Sequence, residues 1–206
     1  MTRMPVEDSR KALVEAAFEV IAEHGVENAT TRTICSHAGM PLASFHYAFA
    51  SRDDLLRRVM LTILPVEIGD WVSSMLPSAN APVLGRAGLE SNLRNQLGML
   101  RLVLESGPGR MRACVTLALY AHNHPPLEAA AKEMFENLYV IAERGLIDAA
   151  RNMDVQWLRP PRELGQITVG MTLAATLVYL ATADTTVVDT VVNSAIELLM
   201  SHVADN

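Results

Sequence analysis

Residues 30–56, TTRTICSHAGMPLASFHYAFASRDDLL, decide the fold. Thr30 carries a hydroxyl that can cap a helix running to about His37. Gly39 makes a tight turn. Pro41 then suits the first turn of a second helix, where its missing N–H leaves no bond unmade, and that helix carries residues 42–48. Ser51 caps a further helix, with Asp53 and Asp54 favourably placed on its N-terminal dipole. Two short helices joined by a glycine turn form the layout of a helix-turn-helix, which presents one helix to the major groove of DNA. On that reading one quarter of the chain reads DNA and the rest has a different job.

Working outward, the first helix spans about residues 9–24, with Leu13, Ala16, Ala17, Val20 and Ile21 on one face and Gly25 as its stop. The helix beginning after Ser51 continues past Pro65, with a kink, towards Leu76. The run 77–82, PSANAP, is a loop. Helices follow over about 84–105, 110–121, 127–152, 163–182 and 185–203. They are separated by SGPG at 106–109, HNHPP at 122–126 and RPPR at 159–162. No strand-like alternation or internal repeat interrupts the pattern. The expectation is an all-α protein of about nine helices. A three-helix helix-turn-helix domain covers residues 1–58, and a larger helical domain covers residues 59–206.

Composition narrows the function classes. Half of the 206 residues are hydrophobic and 5% aromatic, so an aliphatic core is available and disorder is not expected. Net charge is −6, a poor match to broad nucleic-acid or anionic-membrane binding. Residues 1–60 carry seven basic and eight acidic side chains, against ten and fifteen in the remainder, so the acid excess lies outside the DNA-reading part. Within it, Glu15, Glu19, Glu23 and Glu27 can face away from DNA. Cys35 and Cys114 offer no disulfide framework and fit a reducing cytoplasm. Arg3 is followed by no apolar signal region. Residues 164–183 lack charge and are long enough to span a bilayer. They also hold Gln166, Gly165, Gly170 and several threonines, and read instead as a buried helix at a soluble helical interface.

Residues 9–56 resemble the DNA-binding domain of the TetR family of regulators. The shared pattern is an apolar helix with its stop at Gly25, then Thr30-Thr31, then a small helix with Ile34 and Ala38. Gly39 follows, then an aromatic-rich helix ending in Phe49, then Ser51-Arg52-Asp53 and Leu55-Leu56. His46 stands where the family usually has Tyr, Ala48 where His is common, Pro41 where Ser is common and Ala43 where Gly is usual. The length and the nine-helix plan fit the remainder. The resemblance implies a repressor that binds palindromic double-stranded operator DNA as a homodimer and releases it on meeting a small-molecule effector. It implies no enzymatic activity, cofactor or membrane.

Phosphate contacts need hydroxyls, cations and helix N-termini. Thr30 or Thr31, Ser44, His46, Tyr47 and Arg52 supply these, and Pro41 opens the same helix. His46 is equally readable as plain surface and Tyr47 as packing. Phe45, Phe49 and Cys35 read as core. For base edges Arg32 is the leading candidate, because its fork matches guanine O6 and N7. By resemblance, an Arg in this Thr-Thr-Arg position can contact a base. Leu42 and Ala43 can meet thymine methyl groups.

The larger domain is expected to dimerise and to sense. Leu173, Leu177 and Leu180 form one apolar stripe, and Val188, Val191, Val192, Ala195, Leu198 and Leu199 another. Two such helices from each subunit make a four-helix bundle, as the resemblance also implies; intramolecular core is the alternative. Candidate pocket residues are Trp71, Met75, Met99, Val103, Met111, Cys114, Leu117, Tyr120, Met134, Leu138, Tyr139 and Met171. Each can equally be core. The methionines favour an adaptable apolar cavity, hence a lipophilic or aromatic effector. The rivals are a helical binding or interaction protein without DNA binding, and an enzyme. His122 and His124 near Cys114 lack a third metal ligand, and no P-loop, GxGxxG or Ser/His/Asp order is present.

Overall fold

The computed structural model describes residues 5–74 and 83–204. Among them are nine α-helices: α1 Val6–His24, α2 Thr31–His37, α3 Leu42–Ala48, α4 Arg52–Ser74, α5 Gly85–Ser106, α6 Gly109–His122, α7 Glu128–Met153, α8 Pro161–Thr182 and α9 Thr185–Ser201. The expected helices are all present among the described residues, with ends displaced by a few residues, as frayed helix termini allow; Leu76, the expected end of α4, and the loop expected at 77–82 lie outside the described residues. α4 runs through Pro65 as one helix. α9 stops at Ser201 because the chain after it pairs elsewhere: Leu158 N–H donates to His202 O at 2.7 Å, and Ala204 N–H donates to Gln156 O at 2.9 Å. No periodicity announces such a short antiparallel bridge.

The chain packs as two units, Met1–Val66 with Gly109–Phe135, and Glu67–Pro108 with Glu136–Asn206. The first therefore holds the helix-turn-helix together with α6 and the start of α7. Its centre is formed by Leu13, Ala17 and Ile21 of α1, Ile34 of α2, Phe45 of α3, Leu55, Leu56 and Met60 of α4, and Leu117 of α6, all at most 1% exposed. The packing unit is thus wider than the functional division proposed at residue 58. It includes α6 because α6 packs against both α1 and the turn at residues 26–28.

In the second unit α5 and α8 pack along α9. Leu89, Leu93, Leu100 and Leu104 of α5 are buried, as are Val188, Val192, Ala195 and Leu199 of α9. Polar clamps close the seam. Arg86 donates to the Met200 carbonyl at 2.7 Å and to Val203 O at 3.1 Å, neutralising the α9 C-terminus. Arg101 pairs with Asp189 at 2.6 Å. α8 comes close to α7 at Gly165, where a Cβ would stand 3.1 Å from the Glu143 backbone nitrogen.

Candidate nucleic-acid interface

Local sequence builds the helix-turn-helix. Thr30 Oγ1 accepts from the Thr33 N–H at 3.1 Å and lies 2.8 Å from Thr33 Oγ1, so the cap of α2 forms as expected. Gly39 has φ +63, a conformation that favours glycine, and Met40 N–H reaches back to Cys35 O at 2.8 Å to close α2. Pro41 precedes α3 as its extended N-terminal neighbour, one position earlier than the first helical turn expected for it. Ser51 Oγ accepts from Asp54 N–H at 3.1 Å and caps α4.

Both short helices, seven residues each, divide cleanly into two faces. α2 buries Ile34 and Cys35, and α3 buries Phe45 and Ala48. Phe45 lies 5.9 Å from Phe49, ring centre to ring centre, as the core reading required. Arg10 of α1 donates to the Ala48 carbonyl at 3.0 Å and fixes the end of α3. His37 Nε2 lies 2.7 Å from the exposed Glu19 carboxylate, which ties α2 to α1.

The opposite faces are exposed together. Pro41, Leu42, Ala43, His46 and Tyr47 lie on the outside of α3, with Tyr47 59% exposed; Ser44 is half-buried. Thr30 and Arg32 are exposed and Thr31 is half-buried. Arg32 has no hydrogen-bond or ion-pair partner among the described residues. The face also includes Thr33 and Ser36, which the sequence reading passed over. The signal was available: once Ile34 and Cys35 are core, positions 32, 33 and 36 must share the outer face of a helix.

Arg52 departs from expectation. Sequence placed it on a phosphate, but its guanidinium turns inward. Nε donates to Ala29 O at 2.7 Å, Nη1 to the Tyr120 hydroxyl at 2.7 Å, and Nη2 to Val26 O. Its cation also sits 5.2 Å from the Tyr120 ring centre. All three donor nitrogens are engaged within the protein: the forked guanidinium takes the Ala29 carbonyl and a second bond to the Val26 carbonyl, which also accepts the Ala29 N–H, in place of solvent.

The expected dimer residues separate. Val188, Val192, Ala195 and Leu199 are buried in the chain's own core and offer no surface, which corrects that part of the expectation. Val191 and Leu198 are half-buried. α8 keeps its stripe: Leu177 is 52% exposed, Val178 is exposed, and Leu173 and Leu180 are half-buried. Only 22% of the most apolar stretch of α8 is buried, so the buried helix expected there is in fact apolar and largely uncovered in this single chain.

The pocket candidates also divide. Met111, Cys114, Leu117, Tyr120 and Met134 belong to the first unit, and Met99, Val103, Leu138, Tyr139 and Met171 to the second. Cys114, Leu117, Met134 and Leu138 are buried, Met99 is exposed, and Met111, Val103 and Met171 are half-buried. Tyr120 holds Arg52 and stacks on His124 at 3.5 Å. Tyr139 lies under the Arg162 guanidinium, 5.4 Å from its ring centre, and Arg162 is also paired with Glu136 and Glu143. Met75 lies outside the described residues, as does the side chain of Trp71. Burial pushes the Cys114 thiol up to about 11 and raises that of Cys35 as well.

This is by architecture an all-α helix-turn-helix protein with a second helical unit. Residues 13–59 match the family model described as bacterial regulatory proteins, tetR family. The HTH-type nicotine-responsive transcriptional repressor HdnoR of Paenarthrobacter nicotinovorans is 39% identical over 62 residues, 30% of this chain and 32% of that protein. A TetR transcription regulator from Haloarcula marismortui superposes with a TM-score of 0.69 at 16% identity, covering 96% of this chain and all of the other. The multidrug binding protein EbrR, solved with imidazole, has a TM-score of 0.59 at 21% identity over 92% of this chain and 94% of its own. The sequence matches span about a third of the curated relatives, and the fold extends the likeness over nearly the whole chain. The family likeness in sequence rests on residues 13–59, and over the rest of the chain the likeness is one of fold.

Proposed function

We propose that the protein is a cytoplasmic, ligand-responsive transcriptional repressor. It binds palindromic double-stranded operator DNA as a homodimer and is released by a small lipophilic or aromatic effector. The observation that carries this reading is the shared outer face of α2 and α3. There Arg32, Thr30, Leu42, Ala43, His46 and Tyr47 stand exposed on helices whose inner faces are locked by Ile34 and Phe45. Arg32 reads a base edge, the α3 apolar pair meets thymine methyl groups, and Thr30, Thr31, Ser44, His46 and Tyr47 hold phosphates. Arg52 is left out of this set.

Dimerisation through the exposed stripe of α8, with Val191 and Leu198 of α9 at its side, supplies the two-fold symmetry that a palindrome needs. An uncovered apolar face of this length is uncommon on a monomer, which supports the assignment. An effector taken up by the larger helical domain moves α4, which begins at Arg52. The two reading heads then lose the spacing of successive major grooves, about 34–36 Å. This requires an effector that binds the DNA-free state more tightly. HdnoR, named as a nicotine-responsive repressor, and EbrR, named as a multidrug binding protein, support an organic effector by analogy.

The test is selection of bound sequences from a random DNA pool, then a compound screen for release. Enrichment of a palindrome, and a compound that dissociates it, is the expected result. A protein that enriches no sequence and instead binds compounds alone is the helical binding module of the rival reading.

A further inference from the structure

We propose that Arg52 and Tyr120 form a positioning clasp that sets the entry of α2 for DNA, and that Arg52 is not itself a DNA contact. The inference rests on the DNA-reading proposal above and concerns residues to which sequence logic assigned other tasks. The geometry is specific. The fork of Arg52 grips Ala29 O at 2.7 Å and Val26 O, the carbonyls at the two ends of the short turn that leads into Thr30. Thr30 is the cap of α2, and Arg32 lies two residues beyond it. A guanidinium is rigid and planar, so holding two carbonyls fixes the direction in which the chain enters α2.

Tyr120 completes the clasp from α6. Its hydroxyl accepts from Arg52 Nη1 at 2.7 Å, and its ring lies near the same cation. Tyr120 is held in turn by His124, stacked at 3.5 Å with 15° between the rings, while His124 Nδ1–H donates to the Tyr120 carbonyl at 2.7 Å. At the other end of α6, Arg112 donates to Ala22 O, and Gly109 approaches so closely that a Cβ would stand 2.8 Å from that same oxygen. α6 is therefore seated at both ends on the segments that flank the turn at residues 26–28. Removing the Tyr120 hydroxyl frees one arm of Arg52 without touching the face that meets DNA. Removing the guanidinium frees the turn.

The test is a titration of the selected operator duplex across a salt series with wild-type protein, Tyr120→Phe, Arg52→Gln and the double variant, each checked by thermal melting. A positioning role predicts operator affinity roughly fivefold weaker in Tyr120→Phe and about tenfold weaker in Arg52→Gln, the scale of a typical net hydrogen bond. The salt slope stays that of the wild type in all variants, and the double variant is no weaker than Arg52→Gln because the two residues act as one unit. If Arg52→Gln flattens the slope by about 0.9 per subunit, Arg52 is a phosphate ligand and the clasp is overturned. Unchanged affinity in Tyr120→Phe also overturns it, and this variant carries the test alone should Arg52→Gln not fold. Wild-type protein that binds no DNA at any salt removes the DNA-reading proposal itself, an outcome distinct from either.

Discussion

The α2–α3 pair and the α8–α9 pair both present amphipathic helices, yet they behave differently under sequence reading. On α2 and α3 the buried and exposed faces fall where the pattern puts them. Ile34, Cys35, Phe45 and Ala48 are inside, and Arg32, Leu42, Ala43, His46 and Tyr47 are outside. On α9 the expected dimer stripe is mostly interior to the chain, and on α8 it is mostly bare. A seven-residue helix with one polar face and a fixed glycine turn has one way to pack. An apolar stripe on a long helix states that it will be covered but not by what, because burial is non-directional and follows area alone. α5 supplied the partner for α9, and no period in α9 could announce that.

Several experiments sharpen this contrast. The largest effects belong to interior positions of both pairs. Phe45→Ala should destabilise by about 3–5 kcal/mol and Leu199→Ala by about 2–5 kcal/mol, read by denaturant unfolding. A small loss at Leu199 would return α9 to the role of a subunit surface. Next, Leu177→Glu on bare α8 should weaken self-association at least about tenfold, near 1.4 kcal/mol, while helix content by circular dichroism stays that of the wild type. Unchanged sedimentation at micromolar protein would take the dimer away from α8.

Arg32→Ala should lose about 1–3 kcal/mol on the best operator and relax one base position. Comparison of enriched pools before and after the substitution reads this directly. Thr30→Ala should cost about 1 kcal/mol of folding stability through the lost cap, seen as a lower melting temperature. The smallest effect is chemical. Burial raises the Cys114 thiol to about 11, so folding keeps it protonated, and its contribution to stability persists below the ordinary thiol range and falls as pH rises through that range towards 11. Iodoacetamide at pH 8 should leave Cys114 unmodified in native protein and label it on unfolding; rapid native labelling would mean an open α6.

The helices themselves were legible from caps, glycine stops and 3.6-residue spacing, down to α3 at Leu42–Ala48. So was most of the outer face of α2 and α3, Thr33 and Ser36 excepted. Arg52 was not, because a cation after a helix-capping serine looks the same whether it meets phosphate or carbonyl. Its partners Ala29 and Tyr120 are 23 and 68 residues away in sequence. The bond of Tyr120 to Arg52 was hidden for the same reason: an amphipathic ring on a helix reads as pocket lining, and its hydroxyl partner lies far off in the chain. The pairing of residues 156–158 with 202–204 is equally non-local. What sequence lacks in each case is the acceptor on the far side of the contact.

The central claim is that the outer face of α2 and α3 reads DNA through Arg32. It is tested most directly by measuring the affinity of wild-type protein and Arg32→Ala for the selected palindrome and for a scrambled duplex, over a series of salt concentrations. The account predicts that wild type prefers the palindrome, with log affinity falling linearly in log salt, and that Arg32→Ala loses most of that preference while keeping its residual binding to scrambled DNA. Equal affinity of wild type for both duplexes, or a palindrome preference untouched by Arg32→Ala, would contradict it.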